Sequence, residues 1–156
     1  MTVARNLKEF LDKSKAPYKL STHQEVYTAQ EVAHSLHVKG QYLAKVVMIK
    51  SKDKLVMTVL PASHKVNIEK IKTLLKDPET RLATEAEFKT AFPDCDVGAM
   101  PPIGHLYGLE LYADKALTQD PEIIFQAGSH VETIRMKYSD WEKLAKPKIA
   151  EFAGHL

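Results

Sequence analysis

Apolar positions recur at two different spacings along this chain, and the switches between them predict its elements. Val3, Leu7, Phe10 and Leu11 fall at helical spacing with charged residues between them. This predicts an amphipathic helix over about 3–14, stopped before Pro17. Residues 17–22 read as a short strand. Thr28 is an N-cap with Glu31 three residues on, a capping box that opens a second short helix. Val32, Ala33 and Leu36 give that helix its apolar face, and Lys39-Gly40 ends it.

Strand character follows in Tyr42–Lys50 and Lys54–Pro61, with Ser51-Lys52-Asp53 as a tight hairpin turn. Asn67 caps a helix carrying Ile68, Ile71, Leu74 and Leu75, closed by Asp77-Pro78. A short strand near Arg81–Ala83 precedes another helix, capped by Thr84 with a capping box to Glu87 and containing Ala86, Phe88 and Ala91. From Phe92 to Gly104 three prolines and two glycines exclude regular helix and central strand. Strands resume at about 106–112, 122–127 and 131–137. A last helix begins at Ser139, carries Trp141, Leu144 and Ala145, and stops before Pro147. Roughly seven strands among five helices, with consecutive hairpins, predict a mixed or antiparallel, curled sheet with helices packed outside.

Composition narrows the picture. A chain of 156 residues, 44% hydrophobic and 27% charged, is expected to form one domain across 1–156 with a core of its own. The net charge of +2 argues against a strongly basic nucleic-acid binder. The single cysteine, Cys95, excludes an intrachain disulfide and a thiolate zinc cluster. Met1–Glu9 lacks the apolar core of a signal peptide, and no apolar run approaches the ~20 residues of a membrane span. A soluble cytoplasmic protein with no membrane contact is expected.

Three places carry candidate chemistry. Lys45 lies within Tyr42-Leu43-Ala44-Lys45-Val46-Val47-Met48-Ile49, a strand apolar at both parities. A lysine there either snorkels to the sheet edge or points into a polar cleft, where its ammonium needs an anion or a carbonyl. The loop Gly98-Ala99-Met100-Pro101-Pro102-Ile103-Gly104 is stiffened by two adjacent prolines. It is either a rigid surface turn or a means of aiming its remaining N–H groups at an oxyanion or phosphate. Ala127-Gly128-Ser129-His130 follows the apolar strand Ile123-Ile124-Phe125. That is either a turn with a structural histidine or a strand end presenting an imidazole to a ligand.

Other candidates are thinner. His34 and His37 stand three apart on one short helix, without an acidic or cysteine partner at ligand spacing, so no metal is expected. Asp94 and Asp96 flank Cys95 and oppose its thiolate. No nucleophile elbow, phosphate-binding loop or dinucleotide fingerprint is present, and no cofactor is expected. Between Lys39 and Lys65 six lysines face Asp53 alone. This is either a solvated strand face or a limited contact with one RNA end rather than a long duplex.

In this order and at these separations, Lys45, Gly98-Ala99-Met100-Pro101-Pro102 and Gly128-Ser129-His130 resemble the YbaK / prolyl-tRNA-synthetase-associated editing domain family. The resemblance runs from the first helix to about Trp141. It implies an α/β fold with a central mixed, partly barrelled β-sheet surrounded by helices. It also implies hydrolysis of the ester joining a wrong amino acid to the 3′ end of tRNA, performed in trans. A second hydrolytic site suits a synthetase pocket that gains only ~1–3 kcal/mol per methylene.

Carried onto this chain, the resemblance makes Lys45, Gly98 and His130 the catalytic set. Lys45 orients the terminal adenosine phosphate or ester, Gly98 and its loop present N–H groups to the carbonyl, and His130 lines the pocket and places substrate or water. Val46, Ala99, Met100, Pro101, Pro102, Gly128 and Ser129 become substrate-binding residues, with Met100 shaping the sieve. The implied partners are the 3′-terminal adenosine and acceptor end of mischarged tRNA, with an aminoacyl-tRNA synthetase a further candidate. Val46 stands where alanine-clearing members carry Asn, which weakens an alanine-specific reading and leaves cysteine, serine, threonine or another small amino acid open. Two other classes remain at this point: a non-catalytic tRNA-end or nucleotide-binding module on the same fold, and a metal-dependent hydrolase.

Overall fold

The structure, a computed structural model, describes residues 5–22 and 43–155. The capping box at Thr28, the helix after it, and His34 and His37 lie outside them. Helix α1 (Arg5–Ser14) buries Leu7 and Leu11, one turn apart. It ends where Lys15 turns left-handed at φ 60° and the Ser14 hydroxyl donates to the Leu11 carbonyl at 2.6 Å. Strand β1 (Tyr18–Thr22) follows.

Strands β2 (Ala44–Ser51) and β3 (Lys54–Pro61) form the expected hairpin, in register from Ala44 opposite Pro61 to Ser51 opposite Lys54. Both loop residues, Lys52 and Asp53, have positive φ (50° and 61°). That is the turn geometry that matches the right-handed twist of the paired strands, here without glycine. Its carboxylate support is Asp77, which accepts from the Ser51 hydroxyl at 2.9 Å and the Lys52 N–H at 3.0 Å.

Strand β4 (His64–Val66) leads into helix α2 (Ile68–Leu75), and Asn67 caps the helix as predicted, its side chain accepting from the N–H groups of Glu69 and Lys70. Strand β5 (Arg81–Leu82) pairs with β2. Helix α3 (Glu85–Phe88) is shorter than predicted and tightens into a 3₁₀ turn at 89–91. Its entry is fixed by Glu87, which accepts from the Thr84 N–H at 2.8 Å and holds Arg81 through both carboxylate oxygens at 2.7 and 2.8 Å.

The strand predicted at 106–112 is displaced. Residues Gly104–Tyr107 make a 3₁₀ turn closed by Gly108 at φ 70°, and β6 runs over Glu110–Asp114. The cause is local: the Leu109 N–H returns to the Gly104 carbonyl at 3.0 Å, and a Cβ on Gly104 would lie 2.6 Å from the Leu109 carbonyl oxygen. The chain can fold back this closely only at a glycine.

Strands β7 (Glu122–Gln126) and β8 (Glu132–Lys137) and helix α4 (Tyr138–Ala145) follow near their predicted bounds. Two further strands, β9 (Lys148–Ala150) and β10 (Ala153–His155), are each three residues long, too short to show a period in sequence.

One sheet has the order β5-β2-β3-β6-β9; β2 is antiparallel to β3 and β5, whereas β6 is parallel to β3 and to β9. A second, antiparallel sheet has the order β1-β8-β7, and β4 pairs with β10. A parallel bridge between Leu43 and Ile124 joins the two larger sheets, so the assembly curls without closing as a barrel. The five-stranded sheet is covered on both faces. Met48, Met57, Val59 and Leu111 pack with Leu7, Leu11, Ile103 and Trp141 on one side. Ile49, Val56 and Leu60 pack with Ile71 and Phe152 on the other.

Candidate functional site

Position along β2 decides what Lys45 meets. Alternate residues of a strand share a face. Ala44, Val46 and Met48 turn toward the larger core, and Lys45 takes the opposite parity near the start of the strand. The Leu43–Ile124 bridge sets β7 alongside in parallel, so two residues further on Gln126 stands next to Lys45 on the same face.

These two residues, with Ala44, Val46, Gly98 and Met100, line a cleft of about 150 Å³. That is below the ~300–1,000 Å³ of ordinary ligand pockets, and suits a small acyl group rather than a whole nucleotide. Lys45 is half-buried, and among the described residues no carboxylate pairs with it. Burial pushes its ammonium below the usual lysine range. A larger groove of about 480 Å³, lined by His64, Lys70, Lys115 and Glu151 among others, holds none of the motif residues.

The proline loop is built as a rigid wall for this cleft. Gly98 turns at φ 86° and Gly128, in the facing β7–β8 turn, at φ 97°. Four hydrogen bonds lace the two segments. The Asp96 N–H donates to the Gly128 carbonyl at 2.7 Å, and the Gly128 N–H to the Ala99 carbonyl at 2.9 Å. The His130 N–H donates to Asp96 Oδ2 at 3.3 Å, and the His130 ring donates through Nε2 to the Val97 carbonyl at 2.8 Å. Since a carbonyl only accepts, Nε2 carries the proton.

The far end of the loop is pinned by Trp141, fully buried, whose Nε1–H donates to the Pro102 carbonyl at 3.1 Å. Of the loop's N–H groups, Ala99's is taken by the Asp96 carbonyl at 3.1 Å, and Gly98's faces the Met100 sulfur at 3.2 Å. A thioether is a weak acceptor, so a carbonyl oxygen can replace it on the Gly98 N–H with little loss.

The sequence-derived candidates therefore divide. Lys45, Val46, Gly98 and Met100 reach the cleft. Ala99, Pro101, Pro102 and Gly128 are buried and are not among its described lining residues. His130 stands behind the loop, its Cε1 3.6 Å from where a Cβ on Gly98 would lie. Ser129 is fully buried in its own turn, donating to Glu132 Oε1 at 3.3 Å. Sequence reading missed Gln126, Trp141 as the loop's anchor, and Asp96 as the hub between the two segments. Only the strand end before Gly128 hinted at Gln126. At Cys95, burial first, then Asp94 and Asp96, pushes the thiol up to about 12, which disfavours its thiolate.

The curled mixed sheet thus brings an ammonium, without a carboxylate partner among the described residues, to a backbone turn held by hydrogen bonds, an arrangement chemically able to meet a carbonyl or an anion. A family model for the aminoacyl-tRNA editing domain matches residues 23–144, and the chain belongs to that family. Among curated relatives, a proline–tRNA ligase of Geobacillus sp. (strain WCH70) is 33% identical over 90 residues, 58% of this chain and 16% of the ligase. One from Thermosipho melanesiensis is 28% identical over 109 residues, 70% of this chain and 19% of the ligase. The matches thus span less than a fifth of those ligases.

Among solved structures, a proposed trans-editing enzyme for prolyl tRNA synthetase superposes with a TM-score of 0.84 at 20% identity, over 97% of this chain and 96% of that one. The hypothetical protein APE2540 superposes with a TM-score of 0.86 at 18% identity, over 96% of this chain and 100% of that one. Likeness at these identities shows the fold.

Proposed function

We propose that this chain is a trans-editing hydrolase that deacylates mischarged aminoacyl-tRNA, cleaving the ester at the tRNA 3′ end in the cytoplasm after a synthetase has released its mistake. The observation that carries this reading is the meeting of Lys45 with the Gly98–Met100 turn at one small cleft.

In this mechanism Lys45 holds the terminal adenosine phosphate or the ester, and the Gly98 N–H takes the carbonyl oxygen in place of the Met100 sulfur. A water adds its oxygen to the carbonyl carbon, and the bond from that carbon to the ribose oxygen breaks. One water proton goes to the ribose oxygen and the other to solvent, leaving the amino acid and free tRNA. None of the six described lining residues is a carboxylate or imidazole, and in this reading the substrate's own hydroxyl or side chain activates the water. The aminoacyl ester is already activated, and positioning with a polarised carbonyl suffices. His130 acts as a positioning residue, through the Val97 carbonyl.

A panel of tRNAs each charged with a wrong amino acid tests this reading. The wild-type protein is expected to accelerate loss of at least one, and Lys45→Ala to abolish that loss while keeping its melting temperature. Tight tRNA binding without turnover on any member would establish a non-catalytic tRNA-end module instead.

A further inference from the structure

Gln126, which lines the cleft, carries an amide oxygen that the deacylation mechanism leaves idle. Gln126 is 8% exposed, and its amide oxygen Oε1 is buried without a hydrogen-bond partner among the described residues. Buried carbonyl oxygens are nearly always paired, because leaving one bare forfeits its hydration. Gln126 ends β7 at the same parity as Lys45 on the neighbouring strand and lines the same cleft. The other described lining groups that reach outward are a cation, Lys45, and apolar surface from Ala44, Val46 and Met100.

An acceptor so placed selects a donor. A second ammonium beside Lys45 would add like-charge repulsion and the desolvation of an ion to one neutral hydrogen bond. A neutral hydroxyl satisfies the oxygen without either penalty.

We propose that Gln126 is the specificity-determining residue of this cleft, its amide oxygen accepting a hydrogen bond from the side-chain hydroxyl of a small amino acid, serine or threonine, on the tRNA ester. The inference rests on the deacylase reading and adds the feature that the cleft distinguishes. Alanine fits the volume but leaves Oε1 bare, and a site built around a hydrogen bond rejects the analogue that lacks it far more strongly than a merely apolar pocket does. A thiol, a weak donor, falls between.

The test compares seryl and alanyl esters of one tRNA, and the matching non-hydrolysable 3′-amide-linked seryl- and alanyl-adenosines. Wild-type protein is expected to favour seryl over alanyl by roughly tenfold or more, in kcat/KM for the esters and in Kd for the amides. Gln126→Leu and Gln126→Met should collapse that ratio toward one, with the melting temperature unchanged or raised because Oε1 has no hydrogen bond to lose among the described residues. Gln126→Glu, which keeps an acceptor at the position, should retain a seryl preference.

Hydrolysis of both esters with a seryl-to-alanyl ratio unchanged in Gln126→Leu and Gln126→Met overturns the inference and leaves the deacylase reading intact. Selective binding of the seryl amide that depends on Gln126, without hydrolysis of either ester, supports the inference and rejects catalysis. Absence of both binding and hydrolysis overturns both.

Discussion

Lys45 shows how one side chain's environment sets its behaviour. Its ammonium is half-buried and lacks a carboxylate partner among the described residues, and desolvation holds its pKa below the usual 10.5. The sign of the consequence is fixed. In the free fold the charged form is penalised, and that penalty is relieved as pH rises through the lowered pKa. An anionic or carbonyl ligand reverses the balance by favouring the charged form. Affinity for a 3′-amide-linked aminoacyl-adenosine 5′-phosphate should therefore be flat below the free-protein pKa of Lys45. Above it, affinity should fall by about tenfold per pH unit until the pKa of the complex is reached. Lys45→Arg keeps its charge throughout this range and should show no alkaline decline in the same titration. A wild-type profile parallel to that of Lys45→Arg would mean that the lysine charge does not engage the ligand.

Among the elements, the proline loop takes its shape in part from a neighbour. Helix α4 delivers Trp141 beneath it, and the indole N–H satisfies the Pro102 carbonyl within the core. Trp141→Phe retains most of the apolar contact but leaves that carbonyl without its donor, at about 1–3 kcal/mol. A single cause should lower the chemical-denaturation midpoint and also reduce kcat through a loosened Gly98 turn, with KM changing less. A variant that loses stability but keeps kcat would show that the anchor serves the core alone.

The same element marks the limit of what was legible beforehand. Helices and strands with several periods, such as α1, α2 and the β2–β3 hairpin, were readable because their apolar spacing is local. The loop's rigidity was readable from its prolines, and Lys45 from being a charge in an apolar run. The displaced β6 was not, because a backbone contact between Gly104 and Leu109 overrode the apolar pattern. Gln126 was also hidden. It joins Lys45 only through a parallel bridge between residues far apart in sequence, and no local pattern encodes that register.

Among the described residues, the basic run from Lys45 to Lys65 does not gather at the cleft. Lys45 lies near the start of β2, whereas Lys52 and Lys54 lie at and beside the hairpin turn at its other end. At ~3.3 Å per residue that separates them by roughly 20 Å. This exceeds the ~8 Å screening length at physiological ionic strength, so the exposed turn lysines exert little direct pull on a ligand held in the cleft. Under the proposed deacylase reading, a net charge of only +2 suits a contact confined to the RNA end better than one that follows the acceptor stem. Reversing both charges, Lys52→Glu with Lys54→Glu, should leave kcat/KM on mischarged tRNA within about twofold at 0.15 M salt. It should also leave unchanged the slope of log affinity against log salt. A tenfold loss, or a slope shallower by about two, would mean that the stem runs down the hairpin and that the basic turn is part of the RNA-binding surface.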